Sequence, residues 1–260
     1  MGGVEVAPQS VICKVIHNRE IARGIFDMSF ACPGMAELAR PGQFVHIACG
    51  EGNLLRRPIS IADILPGALR VIYEVKGEGT RYLSQLKEGD PVDVLGPLGR
   101  GFDLSRASGN AILIGGGIGV FPLLPVAKLL GKRAYVALGF RSASAAVLTE
   151  EFSAVSAGVH IATDDGSMGY HGFVTDMAEM LSGVNPTILY ACGPKPMLKN
   201  VKLLAEKFGV PAEISMEERM GCVIGACLVC ACKTRKNGEE GFSHVCKDGP
   251  VFDASEVIFE

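Results

Sequence analysis

The chain has 260 residues, 48% of them hydrophobic, which is enough for two or three domains with buried cores. Its formal net charge is −3 and its isoelectric point is about 6.0, so no excess of cationic side chains is present to release counterions from a nucleic acid. These values exclude nucleic acid as a partner.

The sequence contains no segment that indicates export or insertion into a membrane. Its first twelve residues lack the cationic and apolar regions of a secretory signal. The long apolar run at 111–130 is interrupted by glycines, two prolines and Lys128, which is typical of a buried strand and loop. Nine cysteines without an export signal favour a reducing compartment. We therefore expect a cytoplasmic protein with no membrane partner.

Residues 1–103 are predicted to form an antiparallel β-barrel. Short β-like runs alternate there with Gly and Pro, and six runs at this spacing are typical of a small barrel. The runs are VICKVI, FDMSFA, QFVHIA, PISIAD, LRVIYEV and PVDVLGPLG. Between the last two, Tyr82, Leu83 and Leu86 fall on one helical face, which predicts a short helix.

Residues 104–216 change to an alternation of strands and helices. The strand candidates are AILIG, AYVALGF, VHIATDD, TILYACG and AEISM. The helix candidates between them are PLLPVAKLLG, SASAAVLTEEF, GFVTDMAEML and PKPMLKNVKLLAEKFG. This alternation predicts a doubly wound parallel α/β sheet.

Residues 217–260 are too few for a hydrophobic core of their own and are rich in cysteine, so we expect a small module stabilised by bound metal. The whole chain is thus predicted to be an α+β multidomain protein.

Four cysteines of this last segment have the spacing of ligands to a plant-type [2Fe–2S] cluster, C-x4-C-x2-C followed by a distant cysteine. They are Cys222, Cys227, Cys230 and Cys246. A structural zinc site is an alternative, although zinc is more often held by two C-x2-C pairs. A second alternative is that these cysteines are buried core residues without metal. Most of the remaining cysteines are expected to be core residues, and Cys232 is a possible alternative ligand because it lies two residues past Cys230.

The run Arg56-Arg57-Pro58-Ile59-Ser60, at the head of a barrel strand, is a candidate flavin site. An arginine there can neutralise a diphosphate with a bidentate fork. Further on, Gly79-Thr80 begins the short helix, where backbone N–H groups suit a phosphate. The arginine pair alone also fits a solvated surface, but its combination with the downstream Gly-Thr favours a flavin.

A glycine-rich turn follows the first strand of the parallel sheet and is a candidate nucleotide site. Its glycines are Gly115, Gly116, Gly117 and Gly119. The strict G-x-G-x-x-G pattern is not met, because Val120 holds the third position, and Arg141-Ser142 stand where an acid is usual. A glycine-rich turn without a ligand therefore remains an alternative.

Two later turns are expected at the same edge of that sheet. They are the loop at 163–169 and the turn Cys192-Gly193-Pro194, each following a predicted strand. In an open parallel sheet both would face the ligand crevice at the carboxyl ends of the strands. Hydrolase motifs such as G-x-S-x-G and H-E-x-x-H are absent from the sequence, and its five histidines, His46 among them, are scattered.

Nine motifs in order carry a family resemblance: RRPIS, GEGT, GPLGRGF, GGGIGVFP, DDGSMG, CGPKPML, SMEERMGC, GAC and CKDGPVF. With them, residues 11–259 resemble the electron-transfer subunits of dihydroorotate dehydrogenase B, which are built like ferredoxin–NADP reductases. CGP is shared across the reductases, whereas the string from SMEERMGC to CKDGPVF is more specific.

The resemblance implies bound FAD, a [2Fe–2S] cluster and NAD. Its FAD contacts would be Arg57, Pro58, Ile59, Ser60, Ile72, Tyr73, Glu74, Gly79 and Thr80. The four cysteines would be the cluster ligands, and no residue of this chain would act on dihydroorotate. Val223 departs from the family, which usually has glycine after the first ligand. Because a β-branched residue does not readily adopt φ > 0, we expect this loop to differ locally.

The implied partner is an FMN-containing catalytic subunit, in an assembly with two copies of each chain. Electrons from dihydroorotate would pass from FMN through the cluster and FAD to NAD+, a step of pyrimidine biosynthesis. The apolar loop VIGACLV at 223–229 would mark the docking patch where it is exposed.

Two other functions remain open. One is a reductase subunit of a ferredoxin:NADP oxidoreductase or sulfide dehydrogenase, which Arg141 would favour by attracting a 2′-phosphate. The other is a zinc-stapled interaction module without redox activity.

Overall fold

The computed structural model describes residues 9–259, and the first part of this range is a closed antiparallel barrel. Around the barrel the strand order is β1-β2-β5-β4-β3-β6. The strands are β1 (Gln9–Ala22), β2 (Ile25–Ala31), β3 (Phe44–Ile47), β4 (Arg57–Leu65), β5 (Ala68–Glu74) and β6 (Pro91–Leu98). Helix α1 (Pro33–Leu38), which the sequence pattern did not indicate, follows β2, and helix α2 (Glu78–Gln85) precedes β6. The predicted six-stranded barrel with a helix before its last strand is confirmed.

Helix α2 is fixed to the barrel at two points. Its Leu83 side chain is fully buried in the barrel core. The carbonyl groups at its carboxyl end accept from Asn18 Nδ2 on β1, at 2.8 Å for Leu83 and 2.9 Å for Leu86. Asn18 Oδ1 in turn accepts from the Tyr73 hydroxyl at 3.1 Å. These contacts add hydrogen bonds to the last carbonyl groups of the helix and hold its carboxyl end against β1.

Strands β4 and β5 pair over only part of their length. Ile61 is opposite Val71, and Asp63 is opposite Arg70, so Ala62 is the extra residue of a β-bulge. Before the bulge, residues 57–60 of β4 pair with β3 alone. Residues 72–74 of β5 likewise pair with β2 alone. A bulge bends its strand and ends regular pairing, so the barrel opens between these two segments.

The second part is a sheet in the order β10-β9-β8-β7-β11-β12-β15, in which all neighbours are parallel except β12 and β15. Its strands are β7 (Ala111–Gly116), β8 (Ala134–Phe140), β9 (Gly158–Thr163), β10 (Tyr170–His171), β11 (Ile188–Cys192), β12 (Ala212–Ser215) and β15 (Val251–Asp253). Its helices are α3 (Leu124–Leu130), α4 (Thr149–Val155), α5 (Val174–Glu179) and α6 (Lys195–Phe208). The five predicted parallel strands are confirmed, and two short strands extend the sheet at its edges.

Two predicted helices begin later than the sequence suggested. After β7, Gly117–Leu123 forms a 3₁₀ helix, and the α-helix starts only at Leu124. The glycines there favour helix weakly, and Pro122 lacks the N–H that an α-helical turn would use. After β8, α4 begins at Thr149 because Leu148 adopts a left-handed conformation with φ of 60°. The glycine-rich turn therefore does not lead directly into an α-helix.

The segment after β12 is joined to the parallel sheet. It contains a hairpin of β13 (Ala231–Lys236) and β14 (Glu239–His244), then β15, which pairs antiparallel with β12. Phe252 of β15 is buried in a core cluster that includes Ile214 of β12. Arg106 bridges the two strands through Glu213 at 3.1 Å and Asp253 at 2.9 Å. The cysteine-rich segment thus shares a core with the sheet. Among the helices of the described residues, none has the length and apolar character needed to cross a membrane.

We expect Phe252→Ala to lower the free energy of unfolding by about 3–5 kcal/mol, because it leaves a cavity between β15 and the sheet. Phe242→Ala in the same segment is the control, since that side chain is 72% exposed. Its expected effect is within about 0.5 kcal/mol. Urea unfolding of both variants measures the difference, and equal losses would contradict the shared core.

Candidate functional site

A cleft of about 570 Å³ lies where the three parts of the chain meet. The barrel contributes Leu55, Arg56, Arg57 and Pro58 to it. The turn after β11 contributes Gly193, Pro194 and Lys195, and the loop after β12 contributes Glu217, Glu218, Arg219 and Met220. Candidate flavin, nucleotide and cluster segments therefore border one cavity.

The two arginines at the head of β4 have different environments. Arg56 is bound to Asp93 of β6, with Nη2 2.5 Å from Oδ2 and Nη1 3.0 Å from Oδ1. The Arg57 guanidinium donates to the carbonyl groups of Leu55 and Arg56, and it pairs with no carboxylate in the described part of the chain. Arg56 is thus occupied within the barrel, while Arg57 keeps its charge available for an anion.

Arg57 lies directly against the first turn of α2. A Cβ atom placed on Gly79 would be 2.6 Å from Arg57 Nε, so only glycine leaves room for the guanidinium there. Thr80 Oγ1 accepts from the backbone N–H groups of Lys76 at 3.0 Å and Gly77 at 3.3 Å, which fixes the start of the helix. A guanidinium and a helix amino end side by side form a site for a phosphate-bearing group.

The opening between β4 and β5 brings the other candidate flavin contacts together. Ser60 lies on the β4 side of this opening, and Ile72, Tyr73 and Glu74 lie on the β5 side. The Tyr73 ring is stacked on Phe26 at 6.0 Å and buried in the barrel core. Ile72 is buried in the cluster of the parallel sheet, and Glu74 is paired with Lys76 at 3.1 Å. The unpaired backbone edge, more than these side chains, is therefore available to a ligand.

His46, opposite Pro58 on β3, is a residue of this region that the sequence did not single out. Its side chain is buried, and Nε2 has no hydrogen-bond partner among the described residues. Burial, together with the charges of Arg56 and Arg57, lowers the pKa of His46 to about 4, so its imidazole is neutral at pH 7. A buried polar atom without a partner fits a site that a ligand completes, and His46 is opposite Pro58 of the candidate flavin strand.

The glycine-rich turn and the turn after β11 pack against each other at the carboxyl ends of neighbouring strands β7 and β11. A Cβ atom on Gly119 would lie 2.4 Å from the Cys192 carbonyl oxygen, and one on Gly116 would lie 2.6 Å from Met197 Sδ. Gly117, with φ of 55°, has no atom within 4 Å of its Cβ position. Close packing accounts for Gly119 and Gly116, whereas Gly117 leaves open space at the sheet edge. Burial raises the pKa of the neighbouring Cys192 thiol to about 12, so the thiol is neutral.

The four cysteines of the C-terminal segment come together in two pairs. Cys246 N–H donates to Cys230 Sγ at 3.4 Å, which links these two residues. Cys222 Sγ also accepts from the N–H groups of Ala226 and Cys227, both at 3.2 Å. Burial opposes ionisation of Cys222, but hydrogen bonds from Ile224, Cys227 and Ala226 lower its pKa to about 6.

Within residues 9–259, no three His, Cys, Asp or Glu side chains gather around one point. Two pairs of cysteines would supply two ligands to each of two irons, as a [2Fe–2S] cluster needs. Cys232, the alternative ligand, is buried on β13, where burial raises its thiol pKa to about 11.

The conformation of the cysteine loop differs from the expectation for Val223. This residue does adopt a positive φ, at 57°, and its side chain is buried. The loop therefore keeps a left-handed residue after the first cysteine even without glycine. Farther along it, the side chains of Ile224, Leu228 and Val229 are 60%, 60% and 58% exposed. The predicted apolar patch thus exists beside the cysteine pairs.

Lys195 and the loop at 217–220 are cleft residues that sequence reasoning did not assign. Lys195 begins α6 and forms an ion pair with Glu218, which ties the turn after β11 to the segment leading into the cysteines. Their only sequence signal was their place inside the motifs CGPKPML and SMEERMGC.

Comparison with known proteins agrees with this arrangement. The model of a family described as the iron–sulfur cluster binding domain of dihydroorotate dehydrogenase B matches residues 217–258. The chain is 46% identical over 254 residues to the dihydroorotate dehydrogenase B (NAD(+)) electron transfer subunit of Geobacillus thermodenitrificans, covering 94% of this chain and 96% of that protein. It is 42% identical over 247 residues to the protein of that name from Caldanaerobacter subterraneus, covering 95% and 97%.

Solved structures show the same fold. A chain of the NADH-dependent reduced ferredoxin–NADP oxidoreductase, described in connection with flavin-based electron bifurcation, superposes with a TM-score of 0.83 at 34% identity. The match covers 99% of this chain and 91% of that one. A ferredoxin–NADP+ reductase from Neisseria gonorrhoeae with bound FAD and NADP gives 0.64 at 13% identity, covering 77% and 92%, which shows similarity of fold alone.

We expect Gly79→Ala to raise the dissociation constant for FAD about tenfold to a hundredfold. The added methyl group displaces the Arg57 guanidinium, and a hydrogen bond to a charged group contributes about 1.5–3 kcal/mol. Gly77→Ala is the control, because no atom lies within 4 Å of its Cβ position. Fluorescence titration of FAD into apoprotein measures both values. Alanine favours helix more than glycine does, so a loss of folding is not expected, and unchanged FAD affinity would contradict the role of Arg57.

Proposed function

The chain belongs to the family of dihydroorotate dehydrogenase B electron transfer subunits, and we propose that it passes electrons from the FMN of a dihydroorotate-oxidising subunit to NAD+. The observation that carries this proposal is the cleft bordered by the flavin strand, the nucleotide turn and the loop that leads to the cysteine pairs. We assign the oxidation of dihydroorotate to the other subunit and electron transfer to this chain.

FAD is the group that the barrel would hold. When bound, FAD exchanges electron pairs with a nicotinamide and single electrons with an iron–sulfur cluster. Arg57 and the amino end of α2 would bind its diphosphate, and the backbone edges at Pro58–Ser60 and Ile72–Glu74 would border its ring. Main-chain contacts suit this role because a site built on strands is held more rigidly than a site built on loops.

Cys222, Cys227, Cys230 and Cys246 would hold the [2Fe–2S] cluster, the first two on one iron and the last two on the other. Support comes from the pairing of the cysteines and from the N–H groups aimed at Cys222 Sγ, which stabilise a thiolate. Gly115–Gly119 and Cys192–Pro194 would bind NAD at the carboxyl edge of the sheet, where open parallel sheets bind nucleotides.

The exposed side chains of Ile224, Leu228 and Val229 would dock the FMN-containing subunit. They lie in the same loop as Cys222 and Cys227, so a partner seated there would bring its redox group close to the cluster. We propose an assembly with two copies of each subunit, located in the cytoplasm.

Reconstitution with the partner tests this function. We expect the chain co-expressed with the FMN subunit to form a stable complex that reduces NAD+ with dihydroorotate. The isolated chain is expected to oxidise NADH with artificial acceptors and to show no activity on dihydroorotate. The 34% identity over 99% of the chain to a ferredoxin–NADP oxidoreductase component gives a second candidate. Efficient exchange with ferredoxin and NADPH, without binding of the FMN subunit, would favour that candidate.

Cysteine variants test the cluster. Cys227→Ser is expected to abolish stoichiometric iron, labile sulfide and the cluster's electron paramagnetic resonance signal, because one iron loses a thiolate. Most of the FAD should remain bound, since the barrel holds it separately. Cys232→Ala is the control, and it should keep two irons and two sulfides per chain. One zinc and no iron in the unmodified protein would refute the redox assignment.

A further inference from the structure

Two ion pairs connect neighbouring residues of barrel strands β4 and β5 to two helices of the parallel-sheet domain. Asp63 on β4 and Arg70 on β5 are opposite each other in the register, next to the bulge. Asp63 pairs with Lys128 of α3, and Arg70 pairs with Glu151 of α4. The barrel thus contributes one anion and one cation, and the helices contribute their complements.

The Arg70 guanidinium is held on two sides. It binds Asp27 of β2 through Nε–Oδ1 at 2.9 Å and Nη2–Oδ2 at 3.1 Å. It binds Glu151 through Nη1–Oε2 at 2.6 Å and Nη2–Oε1 at 2.9 Å. Asp27 is completely buried and also contacts His17 Nε2 at 3.1 Å. With both faces of the fork bound in a bidentate manner, Arg70 has no freedom to follow a moving helix.

The signs of the charges resist sliding of the two domains. A shift of the helices along the barrel surface would separate each pair and bring Glu151 towards Asp63 or Lys128 towards Arg70. Complementary charges of alternating sign thus fix register at an interface more than they add affinity. Apolar residues alone, such as Ile72 and Phe121 in the adjoining cluster, are non-directional and fix no register.

Three of the four elements that the two ion pairs join, namely β4, β5 and α3, lead directly to the candidate redox site. Strands β4 and β5 continue from Asp63 and Arg70 into the open edges at 57–60 and 72–74. Helix α3 follows the glycine-rich turn through the 3₁₀ helix Gly117–Leu123. Resting on the proposed function, we propose that Lys128 and Glu151 are positioning residues that fix the nicotinamide-binding edge relative to the flavin for hydride transfer.

A purely stabilising role fits Glu151 poorly. Its side chain is 39% exposed, and ion pairs with an exposed partner contribute little to folding. Loss of Glu151 would also leave Arg70 paired with Asp27, so no buried charge loses all its partners. The main consequence of such a loss is a change in the placement of the domains. Loss of Lys128, in contrast, would leave the buried Asp63 carboxylate without a cation and is expected to lower stability as well.

The test uses Glu151→Gln and Lys128→Gln in the full chain with its cofactors, with Glu150→Gln as the matched control. Glu150 is exposed in the same helical turn as Glu151. We expect each positioning variant to lower kcat for NADH oxidation about tenfold or more, with a smaller change in KM, because displacements of reacting atoms near 1 Å cost on that order. The charge-transfer absorbance of the nicotinamide–flavin complex should fall in parallel, while FAD content stays close to the control. The melting temperature should also stay close to the control for Glu151→Gln, whereas Lys128→Gln is expected to lower it because Asp63 loses its cation. Lys128→Arg should restore the kcat of the unmodified protein.

Hydrogen–deuterium exchange of the same variants gives a readout independent of turnover. Faster exchange at the barrel–helix contact, in segments 61–72 and 121–130, is expected for Glu151→Gln and not for Glu150→Gln. Unchanged exchange together with unchanged kcat would overturn the positioning role. If the unmodified protein fails to oxidise NADH, the proposed function falls. If exchange in Glu151→Gln is nevertheless altered, the ion pairs connect the two domains but have no role in hydride transfer.

Discussion

The short antiparallel pairing of β4 with β5 determines both the candidate flavin site and the placement of the parallel-sheet domain. Its bonded part holds Asp63 and Arg70 opposite each other and directs their charges to α3 and α4. Beyond Ile61 and Val71 the same strands separate and leave two backbone edges open. A single irregularity, the bulge at Ala62, therefore divides the strand pair into a half that fixes domain orientation and a half that can receive a ligand.

The cysteine segment is anchored on one strand at both of its ends. It leaves the sheet after β12 and returns to it as β15, where Phe252 packs against the same core and Met216 N–H donates to the Pro250 carbonyl at 2.8 Å. The segment leaves the sheet and re-enters it at neighbouring positions. The loop at 217–220 is therefore held at the cleft that Arg57 also borders. The Lys195–Glu218 ion pair adds a direct tie to the turn after β11.

Local patterns predicted most of the fold and of the candidate site, whereas features that depend on distant neighbours were missed. Gly and Pro residues between short β-like runs were sufficient to predict the barrel. The spacing of Cys222, Cys227 and Cys230 was sufficient to identify the candidate cluster loop. Strand β15 was not foreseen, because a three-residue strand forms only where β12 offers an open edge. His46 looked ordinary, since its burial and unpartnered Nε2 arise from packing. The ion pairs of Asp63 and Arg70 join residues 65 and 81 positions apart, which no local pattern registers.

Val223 explains how an apolar loop can be fixed and still present an apolar surface. A β-branched residue at φ of 57° carries strain of about 1–3 kcal/mol, and such strain persists where packing over-determines the backbone. The Val223 side chain supplies that packing, because it is buried in the cluster that contains Phe44 and Leu98 of the barrel. With this residue turned inward, Ile224, Leu228 and Val229 remain on the outside next to the cysteine pairs. Packing of the Val223 side chain thus fixes the loop despite the strain, and the opposite face of the loop stays free for a partner.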